Sequence, residues 1–238
     1  MKELFKVKET IVRIIADDYR YIEIAKKKII ETRAELENYI VKEPFFKTTL
    51  EPYSCEKNAP EIVKKMCWAS KLARVGPMAS VAGAIAEFAV SAMVESGATY
   101  AIVDNGGDIA FFTDREIIVG IYAGDSPISI ALKFSPTDKI LGVCTSSGTV
   151  GHSISFGYAD AVTVISENVV LADALATAIC NEIKENAGEK DIQEVLNNYK
   201  IKNLARGIIV IKGKYLGMAG ELPEIVEAKI NPEIITKG

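Results

Sequence analysis

The stretch 75–112, VGPMASVAGAIAEFAVSAMVESGATYAIVDNGGDIAFF, constrains the fold more than any other part of the chain. Residues 78–95 are apolar nearly all round, which predicts a helix buried on most of its sides. Gly76-Pro77 opens it and Gly97 ends it. Its small residues, Ala79, Ala82, Gly83, Ala84 and Ala86, let another backbone come close. Glu87 carries the only charge of the run 75–94. A buried carboxylate needs a partner, so Glu87 is expected to bond a backbone amide or an arginine. The run is long enough to cross a bilayer. Its alanine and glycine content and the central carboxylate instead predict a core helix. Thr99–Val103 follows as a strand, Asn105-Gly106-Gly107 as a turn, and Ile109–Phe112 as the returning strand. Asn-Gly between apolar runs is a hairpin signal.

Upstream, residues 9–15 read as a β-branched strand. Residues 18–42 place Ile22, Ala25, Ile29, Leu36 and Ile40 at helical spacing and end before Pro44, giving an amphipathic helix with a solvated charged face. Residues 45–57 look irregular. Asn58 is expected to cap a helix from Ala59 to about Ala73. Downstream, short strands are expected at 117–123, 128–134, 140–144 and 161–165. A second helix is expected over about 172–185, with Leu171, Leu175, Ile179 and Ile183 on one face. The strand 207–211 and the turn 212–214 come next. The order of small-residue or apolar helix, strand and glycine turn occurs twice, which suggests a weak internal duplication. The tail from Pro223 is expected to lie loosely on the outside. No linker stands out, so the chain reads as a single domain over 1–238. It comprises an N-terminal strand and long helix (1–43) and a motif-bearing core (75–215).

At 238 residues, 49% hydrophobic and 25% charged, the chain can bury a sizeable core. The net charge of −4, with no basic block, gives no reason to expect nucleic acid or an anionic membrane as partner. The start MKELFKVKET has no apolar export segment, so a cytoplasmic location is expected. Cys55, Cys67, Cys144 and Cys180 form no C-x-x-C pair and are expected as buried thiols. His152 is the single histidine, so a metal here would be a hard cation held by oxygen.

Three places could carry chemistry. Asp173 and Thr177 stand one helical turn apart, a carboxylate and a hydroxyl on the same face. With backbone carbonyls and waters they suit a magnesium ion bound together with a phosphate. Equally, Asp173 can serve the helix dipole while Thr177 bonds the preceding turn. The segment Asp104-Asn105-Gly106-Gly107-Asp108 can offer backbone N–H groups to a phosphate or base, or be an ordinary hairpin. The loop Thr145-Ser146-Ser147-Gly148, followed by His152, suits phosphate contact better than a serine–histidine nucleophile, because no third group is evident.

Together these places resemble the ApbE family, flavin transferases that move FMN from FAD onto a threonine of a target protein. Ile102 to Ile109 is similar to that family's strand ending in Gly-Gly-Asp, and the Thr145–Gly148 loop with His152 to its Thr-Ser-Gly loop and histidine. Ala172-Asp173-Ala174-Leu175-Ala176-Thr177-Ala178 matches its helix start residue for residue. The resemblance implies an α+β, T-fold-like architecture with duplicated helix and antiparallel-strand halves. It implies a Mg2+ site made by Asp173, Thr177 and a backbone carbonyl near Ala79. It also implies flavin bound between that site and the residues Asp104, Gly106, Gly107 and Asp108, with the Thr145–Gly148 loop beside it and His152 and Asp173 taking part in catalysis. Departures are Ala82 where the family has lysine, Glu87 where it has aspartate, and no Asp-Pro after His152. Shortness and the missing export start place the chain closest to the family's short cytosolic branch.

Three functions follow as expectations. The first is binding of a flavin or related dinucleotide with Mg2+, with FMN transfer from FAD to a threonine of a protein acceptor. The second is a ligand-binding or assembly protein that kept the fold and lost catalysis. The third is an enzyme acting on another phosphorylated or pterin-like heterocycle. A homo-oligomer is compatible with all three.

Overall fold

The computed structural model describes residues 1–149, 156–202 and 204–227. Its frame is an eight-stranded antiparallel sheet in the order β1-β2-β3-β4-β7-β8-β9-β10. These strands are β1 (Lys2–Val7), β2 (Thr10–Ala16), β3 (Tyr100–Asn105), β4 (Asp108–Thr113), β7 (Leu141–Ser146), β8 (Ala161–Ser166), β9 (Gly207–Lys212) and β10 (Tyr215–Gly220). A three-stranded sheet, β11-β6-β5, consists of β5 (Ile117–Ile121), β6 (Ile130–Phe134) and β11 (Glu224–Glu227).

The helices are α1 (Tyr19–Lys42), α2 (Pro44–Thr48), α3 (Glu61–Ala73), α4 (Val81–Glu95), α5 (Val169–Glu182) and α6 (Glu189–Lys202). They lie on one face of the large sheet, over Val12, Ile14, Ala101, Val103, Ala110, Val162 and Val164. The small sheet covers the other face, over Phe111, Val143, Ile165, Ile209 and Ile211. Strand alternation explains this division: successive side chains feed the two cores in turn.

The strand order shows the duplication. Hairpin β1–β2, then helices, then hairpin β3–β4 make one half. Hairpin β7–β8, helices α5 and α6, and hairpin β9–β10 make the other. The halves join where β4 pairs with β7.

Helix α1 buries Ile22, Ala25, Ile29, Leu36 and Tyr39, and Asp18 caps it by accepting the Arg20 N–H at 2.8 Å. The apolar run 77–95 is a 3-10 turn, Pro77–Ser80, continued by α4. It packs against α1, α3, α5, β3 and β4.

Three expectations are corrected and two elements are added. Residues 2–7 add a strand, paired with β2 across Lys8 and Glu9. Part of the region read as irregular, 44–48, is α2, with Phe46 fully buried. Asn58 caps nothing: α3 starts after Pro60 with no side-chain cap. Residues 189–202 are a helix, with Ile192, Leu196 and Tyr199 buried at helical spacing. The tail from Pro223 is not loose at its start, because β11 pairs with β6 from Glu224↔Lys133 to Glu227↔Ile130.

Candidate functional site

Two helices exchange carboxylates at the centre of the molecule. Asp173, in the second turn of α5, accepts the Gly83 N–H at 2.8 Å, and the Ala82 N–H also points at it. Glu87, in the second turn of α4, accepts the Val169 N–H at 2.8 Å and the Val170 N–H at 3.3 Å. Each helix thus answers the unsatisfied amides at the start of the other. Glu87 is 6% exposed, and its second oxygen takes an ion pair from Lys65 of α3. Its partners are amides, as expected, together with a lysine. The contact needs Gly83. A Cβ there would stand 2.8 Å from the Asp173 Cβ and 2.9 Å from the Val169 carbonyl oxygen.

The hairpin β3–β4 locks onto the same point. Gly106 and Gly107 have φ of 70° and 99°, the left-handed pair that a two-residue turn needs. Asn105 is buried, and its side-chain amide donates to the Ala82 carbonyl at 3.1 Å. Asp108, paired across the turn with Asn105 and across the strands with Cys144, lies on the helix side of the sheet. Among the described residues its Oδ1 is buried without a hydrogen-bond partner, while the Cys144 thiol and the Thr145 backbone bond the carboxyl. Burial first, and then the charge of Asp173, push the Asp108 carboxyl well above the ordinary carboxylate range. Burial likewise raises Asp173 to about 7, against the lowering effect of the Gly83 and Ala82 amides. Cys144 is fully buried beside both carboxyls and its thiol is pushed up, by burial and then by Asp108. Lys65, Asn105 and Cys144 were not singled out as site residues from the sequence. Only Asn105 had a signal, its place beside the glycines, and that was fully accounted for by the turn.

Strand alternation divides the remaining candidates. Asp104 and Thr145 point to the opposite side of the sheet from Asp108. Asp104 faces Arg13 at 3.7 Å and accepts the Gly107 N–H at 3.0 Å, while Thr145 shares a hydrogen bond with Thr163 at 2.8 Å. Ser146 is on the helix side and buried. Ser147 accepts the Thr149 N–H at 3.1 Å, and the Gly148 N–H donates to the Ala159 carbonyl at 2.9 Å. The Gly107 and Gly148 amides are therefore already engaged within the chain. Thr177 is half-buried, one turn beyond Asp173, and its hydroxyl has no side-chain hydrogen bond among the described residues. Ala79 lies in the 3-10 turn, which packs on α5. His152 lies outside the described residues.

For a hard cation the fit rests on Asp108. Its Oδ1 is buried and unpartnered among the described residues, and its carboxyl feels the charge of Asp173, so two ionised carboxylates here would call for a positive charge. Among the described residues no three His, Cys, Asp or Glu side chains form a metal cluster, so a cation would also draw on hydroxyl, carbonyl and water oxygens.

Comparison with known proteins shows the family and the fold. A family model described as AbpE bacteria matches residues 4–204. A UPF0280 protein of Methanosarcina acetivorans is 52% identical over 100% of this chain and 93% of its own length. One of Methanococcoides burtonii is 50% identical over the full length of both chains. The flavinyl transferase ApbE of Pseudomonas stutzeri superposes with a TM-score of 0.60 at 14% identity, covering 92% of this chain and 94% of that one. The ApbE protein of Thermotoga maritima superposes with a TM-score of 0.62, also at 14% identity, covering 92% and 96%. At such identity the solved structures establish the fold alone. The duplicated sheet, the Gly-Gly-Asp hairpin and the matched family model agree: the chain belongs to the ApbE-like family, alongside the archaeal UPF0280 proteins.

Proposed function

We propose that the protein binds a flavin nucleotide together with Mg2+ at the meeting point of α4, α5 and the β3–β4 hairpin, and transfers FMN from FAD to a threonine hydroxyl of a protein acceptor. The observation that carries this reading is the pair Asp108 and Asp173: two buried carboxyls, the charge of Asp173 raising Asp108, with the Asp108 Oδ1 lacking a hydrogen-bond partner among the described residues. When ionised, such a pair is unfavourable without a counter-charge. Asp173, Asp108, the Thr177 hydroxyl and the carbonyl at Ala79 would hold the cation. Bound there, Mg2+ supplies charge neutralisation for pyrophosphate oxygens. The chain's own part is positional. The Gly83 amide fixes one oxygen of Asp173, and Asn105 fixes the hairpin that carries Asp108. The opposing amides of Gly107 and Gly148 are consumed internally, so phosphate contact falls to the cation and the α5 face rather than to those loops.

Incubation with FAD, Mg2+ and a threonine-bearing acceptor peptide, following AMP release, tests the proposal. The expected result is release that needs Mg2+ and falls at least about a hundredfold in Asp173→Ala. No AMP from the wild type, or equal release from the folded variant, rejects transfer.

One observation favours a second reading, a flavin-binding protein without transfer: Ala82 stands where the family has lysine. The Lys65 ammonium, which meets α4 at Glu87, is already paired with that carboxylate. Stabilisation by FAD and Mg2+ without AMP release would select this reading.

A further inference from the structure

The residue directly across the ladder from Asp108 is Cys144 of β7, at the seam where the two halves join. Directly paired residues of an antiparallel ladder leave the sheet on the same side, their Cβ atoms about 5 Å apart. Cys144 is fully buried, and its thiol donates to the carbonyl of Val169, the first residue of α5, at 3.6 Å. Strand and helix are close here: a Cβ on Gly142 would stand 2.8 Å from the Val169 Cα. The same thiol bonds the Asp108 carboxyl, as does the Thr145 backbone. One S–H proton thus serves two acceptors, one at the hairpin and one at the start of α5.

These bonds have a direction. Among the described residues Asp108 Oδ1 is without a partner, so the bonds from Cys144 and Thr145 fall on Oδ2. The carboxyl is anchored by one oxygen and presents the other. Asp173 is likewise anchored through its Oδ2, by the Gly83 N–H at 2.8 Å. Val169 is gripped twice, its carbonyl by Cys144 and its N–H by Glu87 at 2.8 Å. Asp173 follows Val169 by one helical turn, so the same contact sets the start of α5 against the strand that borders Asp108.

A buried cysteine can be plain filler, and filler needs only volume. A donor aimed at a carboxylate does more, because it fixes the orientation of its acceptor. We propose that Cys144 is a positioning residue of the cation site: its thiol holds Asp108 by one oxygen against the start of α5 and leaves Oδ1 to face the cation. The inference rests on the metal reading given above and adds to it the group that aims Asp108. Donors that orient a metal-binding carboxylate contribute about ten- to a hundredfold to metal affinity.

Two variants separate the roles. Cys144→Val fills the space and removes the donor, whereas Cys144→Ser keeps a donor and loses volume. Mg2+ affinity is measured by calorimetry on the metal-free full chain, with a melting curve for each protein. Cys144→Ser should bind Mg2+ within about threefold of wild type and Cys144→Val about tenfold or more weakly, whichever variant melts lower. The reverse order overturns the inference and leaves Cys144 as filler. So does an equal affinity, or an equal loss, in the two variants. The S–H stretch gives a readout without metal. Infrared difference spectra, with Cys144→Ser as the blank, cancel the bands of Cys55, Cys67 and Cys180. The Cys144 band should shift in Asp108→Asn. A band that stays put assigns the proton to Val169 alone and overturns the inference. A wild type that binds no Mg2+ takes down the cation reading and this inference with it. Mg2+ bound equally by the wild type and both variants takes down the inference alone.

Discussion

Asp173 is buried and held by the Gly83 and Ala82 amides, and its charge acts on the buried Asp108. Burial raises Asp173 from an ordinary 3.8 to about 7, and Asp108 is raised as well. Between those values the folded chain binds more protons than the unfolded chain, so stability falls as pH rises through that window. In chelator, the melting temperature is expected to decline from about pH 4 to pH 7. Mg2+ should remove most of that decline, because a cation replaces the proton. Melting curves across pH, with and without Mg2+, check both. Gly83→Ala sets a new Cβ 2.8 Å from that of Asp173. The obstruction is backbone and a fixed side chain, so about 1–3 kcal/mol of stability should be lost, read by urea unfolding. Mg2+ affinity should fall with it.

At the scale of elements, the crossed carboxylates tie α4 to α5. Glu87→Gln keeps one acceptor but cannot serve both Lys65 and the two amides of α5. A loss of about 1–3 kcal/mol is expected. Lys65→Met should cost less than about 1 kcal/mol, because the lysine is 43% exposed. A double-mutant cycle by chemical denaturation separates the amide contribution from the ion pair. Coupling close to the whole Glu87 effect would mean that the ion pair, and not the helix start, sets the junction.

Across the whole molecule, the large sheet separates the site from the second core. Phe111 is fully buried on the far face, with its ring 5.0 Å from that of Phe134 of the small sheet. Phe111→Ala should cost about 3–5 kcal/mol by urea unfolding. Mg2+ affinity should stay within about twofold of wild type, because Asp108 and Asp173 lie on the other side. A parallel loss of affinity would mean that the two faces are coupled.

The strong local signals were legible without coordinates. Helix α1 has its stripe and its Pro44 stop. The run 77–95 is apolar all round, and Gly106-Gly107 admits a tight turn. The heptapeptide from Ala172 carried the family. Weak signals were lost: β1 mixes lysines with its apolar residues, and the stripe on α6 is only Ile192, Leu196 and Tyr199. The site divides along the same line. The sequence by itself determined that Asp173, Thr177 and Asp108 occur, and on which kinds of element, because spacing and turn chemistry are local. Only the tertiary structure decided that Asp108 is buried on the same side of the sheet as α5 and feels the charge of Asp173, that Asp104 and Thr145 turn away, and that Glu87 serves α5. Those outcomes depend on strand register and on the closeness of approach at Gly83, which join residues as far as 90 positions apart.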